Sequence, residues 1–206
     1  MSELNMPTRE QIPVGGLKPS TFVLVHPLDE FYLEMGLALP PLQQVDGEAV
    51  PRPYKQLLVH HDDMTPTLEK YYGRDIHLRL LSRRRKESGY FREVVLQLDQ
   101  DQRPVEFGAI RIHLEHFPAP AKAAILSEHL PLGRILRDFA IDYISRPQAF
   151  LRLASDPTIN ELLHLTGAHF LYGRRNTLLT ASDQSLAEIV EILPPVNVPG
   201  WPRKAG

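Results

Sequence analysis

The sequence predicts a single α+β domain: an antiparallel sheet of five or six strands with helices mainly on one face. Three observations carry that expectation. Three strand-like runs follow one another between residues 76 and 114 and are joined only by short polar linkers. Two more runs, 170–180 and 186–193, flank the turn-prone Ser182-Asp183-Gln184. Between these groups lie segments of helical spacing, bounded by Pro and Gly. The length of 206 residues suits one domain, and 43% hydrophobic content suffices for a core.

Along the chain, residues 1–19 are polar and broken by Pro7, Pro13, Gly15, Gly16 and Pro19, which reads as a mobile arm. Phe22 to Val25 reads as a short strand or an apolar plug on the main body. Phe31, Leu33 and Leu37 suit a short helix ending before Pro40. Tyr54 to Leu58 suits a helical turn. Thr65-Pro66 reads as an N-cap with Pro at the first helical position, and Gly73 as the stop.

The sheet begins at Ile76, where Ile76, Leu78 and Leu80 alternate with polar residues. Tyr90 to Leu98 follows, then Val105 to Leu114, with Ile110, Ile112 and Leu114 on one parity. Ala121 to His129 reads as a helix after Pro118 and Pro120, and Pro131-Leu132-Gly133 breaks the chain again. Residues 134–165 show helical patterns, including Ala149, Phe150, Leu151 and Leu153, then Ile159, Leu162 and Leu163. The Pro-rich tail from Pro194 is expected on the surface.

Composition excludes several classes. With 23 Lys+Arg against 25 Asp+Glu, the net charge is −2, which argues against a general nucleic-acid binder. Cysteine is absent, so disulfides, thiolate metal sites and a Cys nucleophile are ruled out. No basic-then-apolar leader and no apolar run of about 18 residues is visible, so the expectation is a soluble, cytoplasmic protein without a membrane span. GxSxG, P-loop and GxGxxG patterns are missing.

His60-His61-Asp62-Asp63 invites a metal reading. Neighbouring residues on an extended chain point to opposite faces, so this tract reads as a loop and the expected metal is none. Arg83-Arg84-Arg85-Lys86 reads as a solvated hairpin loop. Gly173, within a strand, marks a bulge or a close backbone approach. Arg92 is more informative, because it interrupts an apolar strand. A guanidinium there needs a carboxylate, from the protein or from a ligand. Glu191 is likewise isolated in Ile189-Val190-Glu191-Ile192-Leu193, and could be the partner of an Arg, Arg92 included. An Arg and a Glu on facing strands of one cavity can bind an organic acid and protonate it. Arg111 ranks lower, on a mixed face.

Several segments together resemble the chorismate–pyruvate lyase family. Leu57-Leu58 with Met64-Thr65 resembles its early helix junction, and Tyr90 to Leu96 its aromatic-x-Arg-Glu-aliphatic strand. Pro131-Leu132-Gly133-Arg134-Ile135-Leu136 resembles its PLGRxL turn. Leu171 to Arg175 resembles its Gly-Arg-Arg strand, and Val190 to Pro194 its closing strand. The order agrees over residues 54–196.

The resemblance implies a lyase-like domain over 54–196, a Pro-rich extension packing on it over 1–53, and a tail over 197–206. It implies an internal ligand cavity and conversion of chorismate to 4-hydroxybenzoate and pyruvate, with no cofactor. Arg92 would clamp the ring carboxylate, backbone amides of Met64 and Leu132 would add donors, and Glu191 would act as general acid. The partner is then a small aromatic or cyclohexadiene carboxylate. The same fold resembles the effector-binding half of some transcription regulators, which points to the alternative of a non-catalytic aryl-acid binder. A related enzyme on another aryl acid is the third reading. Residues 1–53 do not read as a winged helix. The chain departs from the family pattern in its long N-terminal segment and in extra length between Leu136 and Gly173.

Overall fold

The structure, a computed structural model, describes residues 24–196. Seven strands form one antiparallel sheet: β1 (Leu42–Val45), β2 (Ile76–Lys86), β3 (Gly89–Leu98), β4 (Pro104–Ile112), β5 (Ile144–Ala154), β6 (Phe170–Leu179) and β7 (Ser185–Leu193). Their order across the sheet is β1-β5-β6-β7-β4-β3-β2. The helices are α1 (Leu28–Glu34), α2 (Tyr54–Leu58), α3 (Met64–Tyr72), α4 (Ala119–Ser127), α5 (Leu132–Asp138) and α6 (Pro157–Leu162). The arm, Phe22-Val23 and the end of the tail lie outside the described residues. Among the described residues, no helix is long and apolar enough to cross a membrane.

Strand alternation sends each strand's side chains to two faces. Phe91, Val95, Phe107, Val190 and Ile192 face one side, where they pack with Phe31 and Tyr32 of α1 and Ile159 of α6. The opposite face carries α2 to α5, and its apolar packing falls into two clusters. Ile110 and Ile112 pack with Ile125 of α4 and Ile135 of α5. Leu96 and Leu98 pack with Leu57 of α2 and Leu68 of α3. The helices therefore lie mainly, though not wholly, on one face.

The antiparallel α+β fold is the one the sequence predicts, with seven strands where five or six are expected and with particular departures. Residues 149–153 form strand β5 instead of helix. Ala149, Leu151 and Leu153 are buried on one face while Phe150 packs on the other, so the run is apolar at every parity and its period cannot be read. Pro147 is tolerated at a β-bulge, beyond the stretch of β5 (Phe150–Leu153) that β1 pairs with. The basic run Arg83 to Lys86 is not a loop but the end of β2, an edge strand. Its charges are held by ion pairs, Arg83 with Glu128, Arg84 with Glu34 and Lys86 with Glu30. A charged edge also discourages pairing with another chain.

Helix α1 buries Phe31, but Leu33 is 78% exposed and Leu37 lies beyond the helix. Helix α3 starts at Met64 with Asp63 as N-cap, two residues before the predicted cap, and stops as expected at Gly73, whose φ is +64°. Pro131 does not end order. It is the N-cap of α5.

Candidate functional site

A small pocket occupies the gap between the two apolar clusters under α2 to α5. Its floor is β3, β4 and β7, and its wall is the first turn of α3 and of α5. Arg92, Glu106 and Glu191 line it from the three strands, while Met64 and Leu132 line it from the two helices. Val94, Leu96, Ile110 and Ile189 complete an apolar surround. The cavity volume is about 60 Å³, well below that of a drug-sized ligand pocket, which excludes a peptide or nucleotide.

Arg92 is 1% exposed, and its Nε and Nη1 are buried without a hydrogen-bond partner among the described residues. Its backbone position opposes Ile110 on β4 and Arg83 on β2, so neither flanking strand offers it a carboxylate directly across. Burial depresses the guanidinium's pKa, against the opposing influence of Tyr90 and Glu128. Glu128 is already engaged, accepting from Tyr90 and pairing with Arg83. Buried guanidinium donors in native proteins are almost always satisfied, and an Arg remains charged. Arg92 therefore presents two unused donors and a positive charge to the pocket.

The partner of Glu191 is Arg174, not Arg92. The two residues lie directly opposite on β6 and β7, and both side chains are buried. The Arg174 guanidinium also donates to three backbone carbonyls, those of Leu58 (3.4 Å), His60 (3.2 Å) and Asp62 (3.1 Å). Arg174 thus fastens the loop that launches α3, and with it Met64, to the sheet. Gly173 is the close approach the sequence suggests. A Cβ there would collide with the backbone carbonyl of Glu191.

The His60–Asp63 tract is this fastened loop. The His60 ring donates through Nε2 to the Leu57 carbonyl (2.7 Å), and its Nδ1 accepts from the Asp62 amide (3.1 Å). Burial and the neighbouring Arg174 charge lower the His60 pKa. Asp63 caps α3 in extended geometry and accepts from the Tyr143 hydroxyl at 2.5 Å. Burial raises its pKa, with the Tyr143 hydrogen bond opposing. A Cβ at Gly133 would sit 3.2 Å from Asp63 Oδ2, so that glycine lets α3 and α5 close together at the pocket wall. The N–H groups of the first turns, Met64 and Leu132 included, have no acceptor within their own helices.

The structure brings Arg92, Glu191, Met64 and Leu132 to one pocket. Arg111 lies elsewhere, donating to the Ser88 carbonyl at 2.7 Å. Three further groups were not singled out from the sequence as site residues: Glu106, Arg174 and Asp63. Glu106 had the same signature as Glu191, a lone acid in an apolar run, Val105-Glu106-Phe107. It also shares the parity of Ile110 and Ile112. Its carboxyl is buried, Oε2 has no partner among the described residues, and burial with the nearby Glu191 charge raises its pKa well above the usual range.

No family model matches the chain, and no curated protein does. Solved structures with similar chain traces include a gene product of Staphylococcus aureus, at 11% identity and TM-score 0.48 over 61% of this chain and 86% of that one. PhnF from Mycobacterium smegmatis gives 11% identity and TM-score 0.48, covering 66% of this chain and 64% of that one. The C-terminal domain of the histidine utilization repressor from Pseudomonas syringae gives 13% identity and TM-score 0.33, covering 64% and 96%. Similarity at this level assigns neither family nor function.

Proposed function

We propose that this chain is a receptor for a small ring-bearing carboxylate, held in the pocket with its carboxylate on Arg92. The observation that carries the reading is the pair of unpartnered donors on a buried guanidinium. A planar fork of that kind matches a carboxylate in bidentate geometry. In this reading the backbone amides of Met64 and Leu132, residues that line the pocket at the starts of two helices, would add donors. The apolar walls suit the ring.

Titrating benzoate-type acids by calorimetry tests the reading. Saturable binding that Arg92→Ala abolishes supports it. Absence of binding at millimolar ligand, in a folded protein, overturns it.

A second reading is elimination of pyruvate from chorismate to give 4-hydroxybenzoate. It is favoured by the convergence of Arg92, Met64, Leu132 and Glu191, the residues the lyase resemblance implies. The enolpyruvyl ether bond would break, the ring would lose a hydrogen and become aromatic, and Glu191 would serve as general acid. The buried contact with Arg174 weighs against that last role, because it already occupies the Glu191 carboxylate. Incubation with chorismate decides between the two. Equal pyruvate and 4-hydroxybenzoate, lost in Glu191→Gln, would establish the lyase. Intact chorismate would leave the receptor reading.

A further inference from the structure

Glu106 and Glu191 come from neighbouring antiparallel strands. Gly108 of β4 stands directly opposite Glu191 of β7, and Glu106 is two residues before Gly108 on the same face. The Glu106 side chain folds back over Gly108: its Oε1 is 3.1 Å from where a Cβ at that glycine would sit. The missing side chain therefore lets one carboxyl lean toward the other. Both line the pocket, and along β4 the register sets Glu191 opposite Gly108, and Glu106 two residues further, whereas Arg92 is opposite Ile110. The charges that bear on Glu106 are those of Glu191 and Arg174. Arg174 is spoken for by Glu191 and by three backbone carbonyls.

We propose that Glu106, acting with Glu191, makes this end of the pocket select ligands that carry an uncharged hydroxyl opposite their carboxylate, and reject dianions. The proposal rests on the carboxylate-receptor reading above. Two buried carboxyl groups with one guanidinium to balance them reach neutrality by holding one proton. Glu191 is taken up by Arg174, so Glu106, whose Oε2 has no partner among the described residues, holds that proton. This end then offers one O–H donor, from Glu106, and free acceptor lone pairs on Glu191. A ligand hydroxyl can accept from the first and donate to the second. A second ligand carboxylate would face the Glu191 carboxyl, whose Arg174 partner is already engaged. A ring dianion such as chorismate is disfavoured on the same ground, while a hydroxyaryl monoanion is matched at both ends.

The test uses the full chain, three probes and calorimetry: 4-hydroxybenzoate, benzoate and terephthalate, each against wild type, Glu106→Gln and Glu106→Leu. Wild type is expected to bind 4-hydroxybenzoate at least about tenfold more tightly than benzoate, and terephthalate weakest of all. Glu106→Gln keeps a donor and is expected to keep the preference. Glu106→Leu is expected to bind benzoate as well as 4-hydroxybenzoate, with an unaltered melting transition showing that it folds. As pH rises and that proton leaves, wild-type affinity for 4-hydroxybenzoate should fall, and Glu106→Gln should lose that dependence. The facing charged groups are Glu191 and Arg174, both retained in the variants. An unchanged preference in Glu106→Leu, or terephthalate binding as tightly as 4-hydroxybenzoate, would overturn the proposal. Equal wild-type affinity for all three probes would overturn it while leaving the receptor reading intact. Binding of none would overturn both.

Discussion

Replacing Arg174 by Met should destabilise the protein severely, and most of the loss should be recovered by a second change at its partner. Arg174 is 0% exposed and directly opposes Glu191. Truncating one member of such a pair leaves the other charge buried and unpaired, which costs about 3–5 kcal/mol. The carbonyls of Leu58, His60 and Asp62 lose a donor as well, adding roughly 1–3 kcal/mol for each that stays dry. A domain's total stability is about 5–15 kcal/mol, so the single variant should sit at or near the threshold of unfolding. Arg174→Met with Glu191→Leu removes both charges, and the apolar pair should recover most of the ion-pair loss, because burying two charges is itself costly. The loop carbonyls stay unsatisfied, so recovery should be incomplete. Equilibrium urea unfolding of wild type, both single variants and the double variant closes the cycle. A loss under about 1 kcal/mol in Arg174→Met, or a double variant no more stable than that single one, would refute Arg174 as the fastener of this region.

Three other outcomes are expected. Arg92→Met should stabilise the ligand-free protein by about 1–4 kcal/mol, since it removes a buried charge with unsatisfied donors. The same change should abolish the rise in melting temperature on adding 4-hydroxybenzoate, and a destabilised Arg92→Met would show that the guanidinium is satisfied internally. Gly173→Ala should cost roughly 1–3 kcal/mol or more, because its Cβ meets the Glu191 backbone instead of a movable side chain, and chemical denaturation measures this. Stability should also depend on pH through Glu106 and Asp63. Burial raises both pKa values, so the folded state holds their protons more tightly than the unfolded chain does. Their contribution is therefore most favourable below the unfolded carboxylate range, and stability falls as pH rises from there through the raised folded values. Urea midpoints across acid to neutral pH should show this slope, and Glu106→Gln should flatten it.

Much of the fold was legible in the sequence where alternation was clean. The runs that became β3, β4 and β7 keep apolar residues at fixed parity, and short polar linkers leave an antiparallel meander as the simple connection. Lone charges in those runs, Arg92 and Glu191, marked the pocket, because an apolar strand has no internal reason to carry them. Glu106 carried the same mark and went unread, its neighbours giving no hint of what it would face.

Which charge meets which was decided only by tertiary structure. Arg92 and Glu191 look complementary in the sequence, yet β4 lies between their strands, while register sets Arg174 directly across from Glu191. The same non-local pairing made a strand of residues 144–154, whose apolar run fits either period until β1 and β6 flank it. Local sequence determined which residues would be buried and which of them were out of place there. Only the order of strands across the sheet could leave one guanidinium satisfied and the other without a partner.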